Sequence, residues 1–288
     1  MRQNLYMIML VVLVVMMTSC SDKNDEPVIR IWENVERVSP VRETPLLLSY
    51  AQQYDWLTMW PSTVVDDSGL TGEAGDYSYW QEHKSEAQTT EELMAMCDIP
   101  ENKLLVLSTR NLARTCYAHP YTFVYSAQNV MYQGFFFMTS ANCYRELMQR
   151  KSGALELLNL YCELEYTATD FSLNALSLFL MTAVDYNALN QVQLARLSTE
   201  VFNKIDNILT VEGDTLVFSK NLRFPYLIGA FMAYHYDASL SEDDVNLLKD
   251  FITVTGIPLI KINEVTLTTE DISRATMIIS QSLERMEN

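Results

Sequence analysis

Glycine and proline are scarce, with eight of each in 288 residues. An architecture of many short strands needs tight turns at close intervals, and those turns draw on glycine and proline. The scarcity therefore argues against an all-β sandwich or barrel and for long helices. Basic residues are also few, 20 Lys and Arg against 37 Asp and Glu. Phosphate backbones are held by clusters of Lys and Arg, and no basic cluster here exceeds the pair Arg150-Lys151. Nucleic acid is accordingly a poor partner. Histidine occurs three times, and there is no Gly-x-Ser-x-Gly elbow, no papain-like cysteine context and no glycine-rich phosphate cradle. The usual signatures of an activated nucleophile or a bound nucleotide are missing.

What is present in quantity is apolar surface: 49% of residues are hydrophobic and 11% aromatic. That composition supplies a sizeable core and excludes disorder for most of the chain. The acidity suits a solubility role.

The stretch Val14–Pro27, VVMMTSCSDKNDEP, changes from oily to acidic at Cys20. Before it, Arg2 gives one positive charge and Tyr6–Met17 is a twelve-residue uncharged run. A helix needs roughly 20 apolar residues to cross a bilayer, so this run fits the h-region of a cleaved export signal. Met17-Thr18-Ser19-Cys20 resembles the lipobox of bacterial lipoproteins, in which the cysteine is lipidated and becomes the first residue of the mature chain. Ser21-Asp22-Lys23-Asn24-Asp25-Glu26 is similar to the acidic export tag of lipoproteins in the Bacteroidetes, although Lys23 and Asn24 interrupt its acidic run. The resemblance implies lipidation at Cys20 and an outer-membrane location facing the cell surface. Several acyl chains on one cysteine give stable anchoring where a single chain does not. Cleavage after residue 19 removes Arg2 and no acid, taking the formal charge from −17 to −18.

Residues 1–19 are thus expected to be a signal peptide, 20–40 an acidic tether and 41–288 a single helical domain. Helical signals recur along that domain. A first helix is expected over Pro45–Leu57, ending before Pro61. Thr90 before Glu91 and Glu92 is an N-cap pattern. Pro100–Cys116 places Leu105, Thr109, Leu112 and Cys116 on one face, and Tyr117-Ala118-His119-Pro120 breaks it. Residues 121–138 are apolar nearly all round, which predicts a central helix. Further helices are predicted at 141–149, 152–165, 170–185, 189–209, 222–236, 241–255 and from Thr269 onward. The oily 170–184 segment contains Asn174 and Ser177 and reads as a buried helix. Ser241-Glu242-Asp243-Asp244 has the form of a capping box, and Val211–Phe218 has that of a small hairpin turning at Gly213-Asp214. The expected fold class is all-α, with antiparallel helices packed as a layered bundle or a short α-solenoid. No repeat unit matches a named consensus.

The run Leu107-Ser108-Thr109-Arg110-Asn111-Leu112 to Cys116-Tyr117-Ala118-His119-Pro120, with Asn142–Leu147 and Arg150-Lys151, resembles a motif run in helical lipoproteins and secreted proteins of the Bacteroidetes whose function is unknown. It covers about fifty residues, implies the same location and helical fold, and transfers no chemistry.

Candidate sites can be weighed by residue type. The long segment 61–88 holds three of the eight glycines and the aromatic group Tyr77, Tyr79 and Trp80. Loops beyond about 12–15 residues are uncommon and are often functional. With Trp56 and Trp60, these rings form a candidate stacking platform for a sugar; the alternative is that they pin the segment to the helical core. Cys116 and His119 offer half of a zinc site with no second pair. His235 suits a helix C-terminus, and His83 has no obvious partner. Asp66, Asp67, Glu73 and Asp76 lack the order of a calcium loop. Glu163 and Glu165 offer paired carboxylates, but acids are abundant and such pairs are usually solvated. Arg145-Glu146 and Arg150-Lys151 suit ion pairs across helix faces. No metal or cofactor is implied. Cys97, Cys116, Cys143 and Cys162 allow three disulfide pairings in an exported protein. The i, i+4 pairs Leu112/Cys116, Cys143/Leu147 and Leu158/Cys162 equally suit buried free thiols.

The expectation is a lipid-anchored surface protein acting as a binding or interaction module, with the membrane as one partner and a protein or glycan as the other. The alternative is a glycan- or peptide-acting hydrolase whose carboxylates form no recognisable motif.

Overall fold

A computed structural model describes residues 29–30, 40–42, 46, 64–65, 75–77, 98–119, 141–165, 172–212, 220–256 and 267–287. Among the described residues the fold is an all-α bundle of nine helices: α1 Glu101–Leu104, α2 Thr109–Tyr117, α3 Asn142–Gln149, α4 Gly153–Glu163, α5 Ser172–Asp185, α6 Gln191–Glu212, α7 Lys220–Tyr236, α8 Glu242–Gly256 and α9 Thr269–Glu287. One two-residue antiparallel pair, β1 Ile29–Arg30 with β2 Val64–Val65, matches Ile29 to Val65 and Arg30 to Val64. The predicted helices at 121–138 and 45–57 lie outside the described residues, apart from Leu46, which is helical and buried.

Helix starts are written into short polar patterns. Ser241 Oγ accepts from Asp244 N–H at 3.2 Å while its own O–H donates to the Asp244 carboxylate, and Thr268 with Asp271 opens α9 in the same reciprocal way. Asn190 and Gln193 cap α6 with two 2.9 Å bonds. Each arrangement satisfies N–H groups that the first turn cannot pair, and such caps contribute about 1 kcal/mol. The far end of α5 closes differently. Asn187 has φ 55°, and the bonds Ala188 N–H to Ala183 O and Asn187 N–H to Val184 O form a Schellman motif. Asn tolerates that left-handed backbone better than most residues.

The helices pack around α7, which touches α5, α6, α8 and α9. A solenoid brings each unit against its sequence neighbours alone; here α9 returns to pack on both α6 and α7, so the arrangement is a bundle. Leu227, Ile228, Ala230, Phe231, Met232 and Ala233 are all fully buried, and each larger side chain among them contributes about 1.5–3 kcal/mol by leaving water. Gly229 interrupts that run for a steric reason: a Cβ there would lie 2.5 Å from Ile279 Cγ2. On the other side, α5 contacts α2 and α4, and so joins α2–α4 to the group around α7. No described helix is long and apolar enough to cross a membrane.

Two expectations need correction. The helix predicted over Pro100–Cys116 is two helices, because Arg150 inserts into the gap and donates to the carbonyls of Leu107 at 2.6 Å and Leu104 at 3.1 Å. That guanidinium is fully buried and pairs with Glu146 at 2.9 Å, so the ion pair expected on a helix face is an internal one. The hairpin expected from Val211 does not begin there, since α6 continues through Glu212; the rest of it lies outside the described residues. Within the expected tether, Ile29–Arg30 is paired with Val64–Val65 and α3 packs against that pair's second strand.

Candidate functional site

A polar cluster sits where α7 ends. A helix leaves its last four carbonyls without intrahelical partners, and here the segment before the first helix supplies donors. Val41 N–H donates to His235 O at 2.8 Å. The Arg42 guanidinium donates to Tyr234 O and, at 3.3 Å, to Asp237 O, and stacks 5.5 Å from the centre of the Tyr234 ring. A cation at this pole also meets the negative end of the helix dipole. Burial raises the Tyr234 phenol above its ordinary range, with Arg42 opposing and Asp185 reinforcing the shift.

Beneath this clip lies a buried histidine–aspartate pair. His235 Nδ1 contacts Arg42 O at 2.7 Å, and His235 Nε2 contacts Asp185 Oδ1 at 2.9 Å. A backbone carbonyl only accepts, and so does an ionised carboxylate. Nδ1 therefore donates to the Arg42 carbonyl, and the Asp185 carboxyl takes up the other ring nitrogen. Asp185 Oδ1 also accepts from Leu46 N–H at 2.8 Å. Tyr236 O–H adds a bond to Asn187 Oδ1 at 2.9 Å, tying the end of α7 to the turn after α5.

Asp237 completes the cluster. Its Oδ2 accepts from Ser282 Oγ at 2.6 Å and from the Arg285 guanidinium at 2.5 Å, while Oδ1 accepts from Ser239 N–H and O–H. Burial pushes this carboxyl upward, but the bonds from Arg285, Ser239 and Ser282 outweigh it and bring the pKa down from 3.8 to about 2. Asp237 is thus held ionised between α7 and α9.

An aspartate–histidine pair is half of a nucleophile-activating device. Both members here are buried, however, and both ring nitrogens already have partners. Proton transfer to a ligand would require Leu46 and Arg42 to leave first. The cluster therefore acts as a lock that joins the chain's early segment to α5, α7 and α9.

The residues singled out from sequence are distributed as follows. Tyr77 is buried, its N–H donates to Thr115 Oγ1 at 3.1 Å, and Lys103 Nζ lies 5.6 Å from its ring centre. Trp56, Trp60, Tyr79, Trp80 and the lipidation candidate Cys20 lie outside the described residues, as does His83. Glu163 pairs with Arg110 at 2.6 Å, and Arg110 also reaches Glu156 at 3.4 Å. Asp76 pairs with Arg114 at 3.0 Å. His119 is half-buried just beyond α2. Among the described residues no group of three or more His, Cys, Asp and Glu is placed to hold a metal ion. Cys116 and Cys143 are buried and Cys162 is half-buried, and none of the three is in a disulfide.

Sequence reasoning missed the roles of Arg42, Asp185 and Asp237. One signal was available: Asp185 ends the oily run LNALSLFLMTAV, and an acid closing an apolar helix needs an internal partner. No protein-family model, curated protein or solved structure matches the chain.

Proposed function

We propose that this chain is a lipid-anchored protein of a bacterial outer membrane, moored through Cys20 and facing the cell surface, and related to the Bacteroidetes lipoproteins that its motifs resemble. Its helical body serves as a binding or interaction module for a protein or a glycan. The observation that carries the reading is the switch at Cys20, where a twelve-residue apolar run and a lipobox-like tetrad give way to acid. The acidic balance suits a displayed body. The sealed aspartate–histidine pair also favours binding over catalysis, because its polar atoms are spent on internal bonds.

Two measurements test it. Cells expressing the full chain are fed an alkyne-tagged palmitate. The wild type is expected to take up label and sediment with membranes, and Cys20→Ser to lose both properties; an unlabelled wild type overturns the anchoring. Cross-linking from intact cells then captures the ligand, and Trp80→Ala is expected to weaken capture of a glycan. Turnover of the captured ligand by the purified protein would replace the binding reading with the hydrolase alternative.

A further inference from the structure

The segment fastened to the end of α7 is remote from it in sequence, with Arg42 and His235 193 residues apart. Val41 N–H and Arg42 N–H donate to His235 O, Arg42 O accepts from His235 Nδ1, and Leu46 N–H donates to Asp185 Oδ1. Of these bonds and those of the Arg42 guanidinium, only the latter use a side chain of the segment. The pole thus reads a stretch of backbone and one guanidinium, set among carbonyls at the negative end of a helix dipole. Water can replace hydrogen bonds of this kind when they open. Among the segment's described residues only Leu46 is buried, and Val41 is 53% exposed. Leu227, Ile228, Phe231 and Met232 of α7 are fully buried, so the segment can lift while the bundle stays packed.

We propose that this docking is exchangeable: when the resident segment lifts, the α7 pole accepts segment 41–46 of a second copy, and two copies pair by trading segments. What the pole already holds fixes the occupant. The same residues in a second chain offer the same backbone donors, the same Arg42 carbonyl and the same guanidinium. No new contact is required at the pole, which is what makes exchange of an identical element a low-cost route to a dimer. The closed and exchanged forms then differ mainly in effective concentration, which favours the resident segment in dilute protein and the exchanged one as concentration rises. In place, the resident segment blocks its own pole and covers the Asp185–His235 pair. The exchange stands apart from the anchor and the ligand proposed above, and its failure leaves both untouched.

The test titrates the full chain, in detergent, into a fluorescein-labelled peptide of residues 39–49 and reads anisotropy. Arg42→Ala has a loosened segment and an intact pole. It is expected to bind the peptide saturably and about tenfold more tightly than the wild type, whose own segment competes. A peptide in which Ala replaces Arg42 is expected not to bind. Absence of saturable binding to the variant overturns the proposal, as does equal binding of the two peptides or equal affinity of variant and wild type. A tagged wild-type chain is then expected to retain an untagged copy and to release it to excess peptide. A chain that binds the peptide but retains no copy overturns the exchange. Should Arg42→Ala fold poorly, Val41→Pro, which deletes one donor at an exposed position, takes its place.

Discussion

Asp185 Oδ1 lies 2.9 Å from His235 Nε2, and the two side chains are 0% and 1% exposed. A buried polar pair of this kind gains little over a well-packed apolar pair, yet removing one partner leaves the other's polar atoms short of a hydrogen bond away from water. Asp185→Asn keeps the shape but removes the carboxyl that His235 Nε2 and Leu46 N–H share, so it is expected to cost about 1–3 kcal/mol. His235→Leu should cost a similar amount by removing the ring that Arg42 O and Asp185 Oδ1 both contact. The double variant Asp185→Leu/His235→Leu should be destabilised by much less than the sum of the two single changes. Urea midpoints for the four proteins form a double-mutant cycle, and additive losses would show that the two residues act independently.

The clip at the end of α7 makes a separate prediction. Arg42 donates to the carbonyls of Tyr234 and Asp237, and Arg42 O accepts from His235 Nδ1 through a backbone that no substitution removes. Arg42→Ala deletes the charge-assisted caps, worth about 1–3 kcal/mol together, while Arg42→Lys retains a cation but not the two-pronged geometry. The local readout is sharper than the global one. Hydrogen exchange at the Val41 and Leu46 amides, which donate to His235 O and Asp185 Oδ1, should accelerate at least tenfold in Arg42→Ala. Unchanged protection there would mean that the segment is held by apolar packing alone.

Helix existence was largely legible in the sequence, and helix partnership was not. The predicted spans 141–149, 152–165, 170–185 and 241–255 differ from α3, α4, α5 and α8 by two residues or fewer at each end, because caps such as Ser241 and periodic apolar faces are local signals. Leu105 lay on the periodic face that argued for one continuous helix, yet it is 47% exposed. The helix breaks there because Arg150, more than forty residues later, takes the carbonyls of Leu104 and Leu107. The α7 pole was illegible for the same reason. Arg42, Asp185 and Asp237 meet only through tertiary packing, and each alone reads as one ordinary charge in an acidic chain. His235 was placed correctly near a helix end, while the carboxylate that holds it sits 50 residues away.

Asp237 predicts how stability responds to acid. Its folded pKa of about 2 lies below the ordinary 3.8, so the unfolded chain takes up the proton first as pH falls. The contribution is fully present above about pH 4 and disappears progressively between pH 4 and pH 2. A shift of this size corresponds to about 2 kcal/mol, reduced to about 1 kcal/mol because the Arg285 side chain is 44% exposed and solvent screens the pair. Denaturation midpoints measured across that window should fall less steeply in Asp237→Asn than in the wild type. Parallel curves for the two proteins would assign the acid sensitivity to other carboxylates.

Close approach of α7 to α9 rests on one missing methyl group. An Ala at position 229 would gain about 1 kcal/mol of helix propensity over Gly, but its Cβ would lie 2.5 Å from Ile279 Cγ2 and 3.3 Å from Leu283 Cδ1. Both neighbours are buried, so neither can swing into solvent, and overpacking of this kind typically costs about 1–3 kcal/mol. Gly229→Ala should therefore be net destabilising, in contrast to the usual effect of that substitution inside a helix. The sign should change when room is made. In an Ile279→Ala background, which removes Cγ2 and leaves a cavity, the added methyl fills space, and Gly229→Ala should become neutral or stabilising. Thermal unfolding of the two single variants and the double variant distinguishes the cases: if Gly229→Ala costs the same in both backgrounds, the separation of α7 and α9 is set elsewhere along their interface.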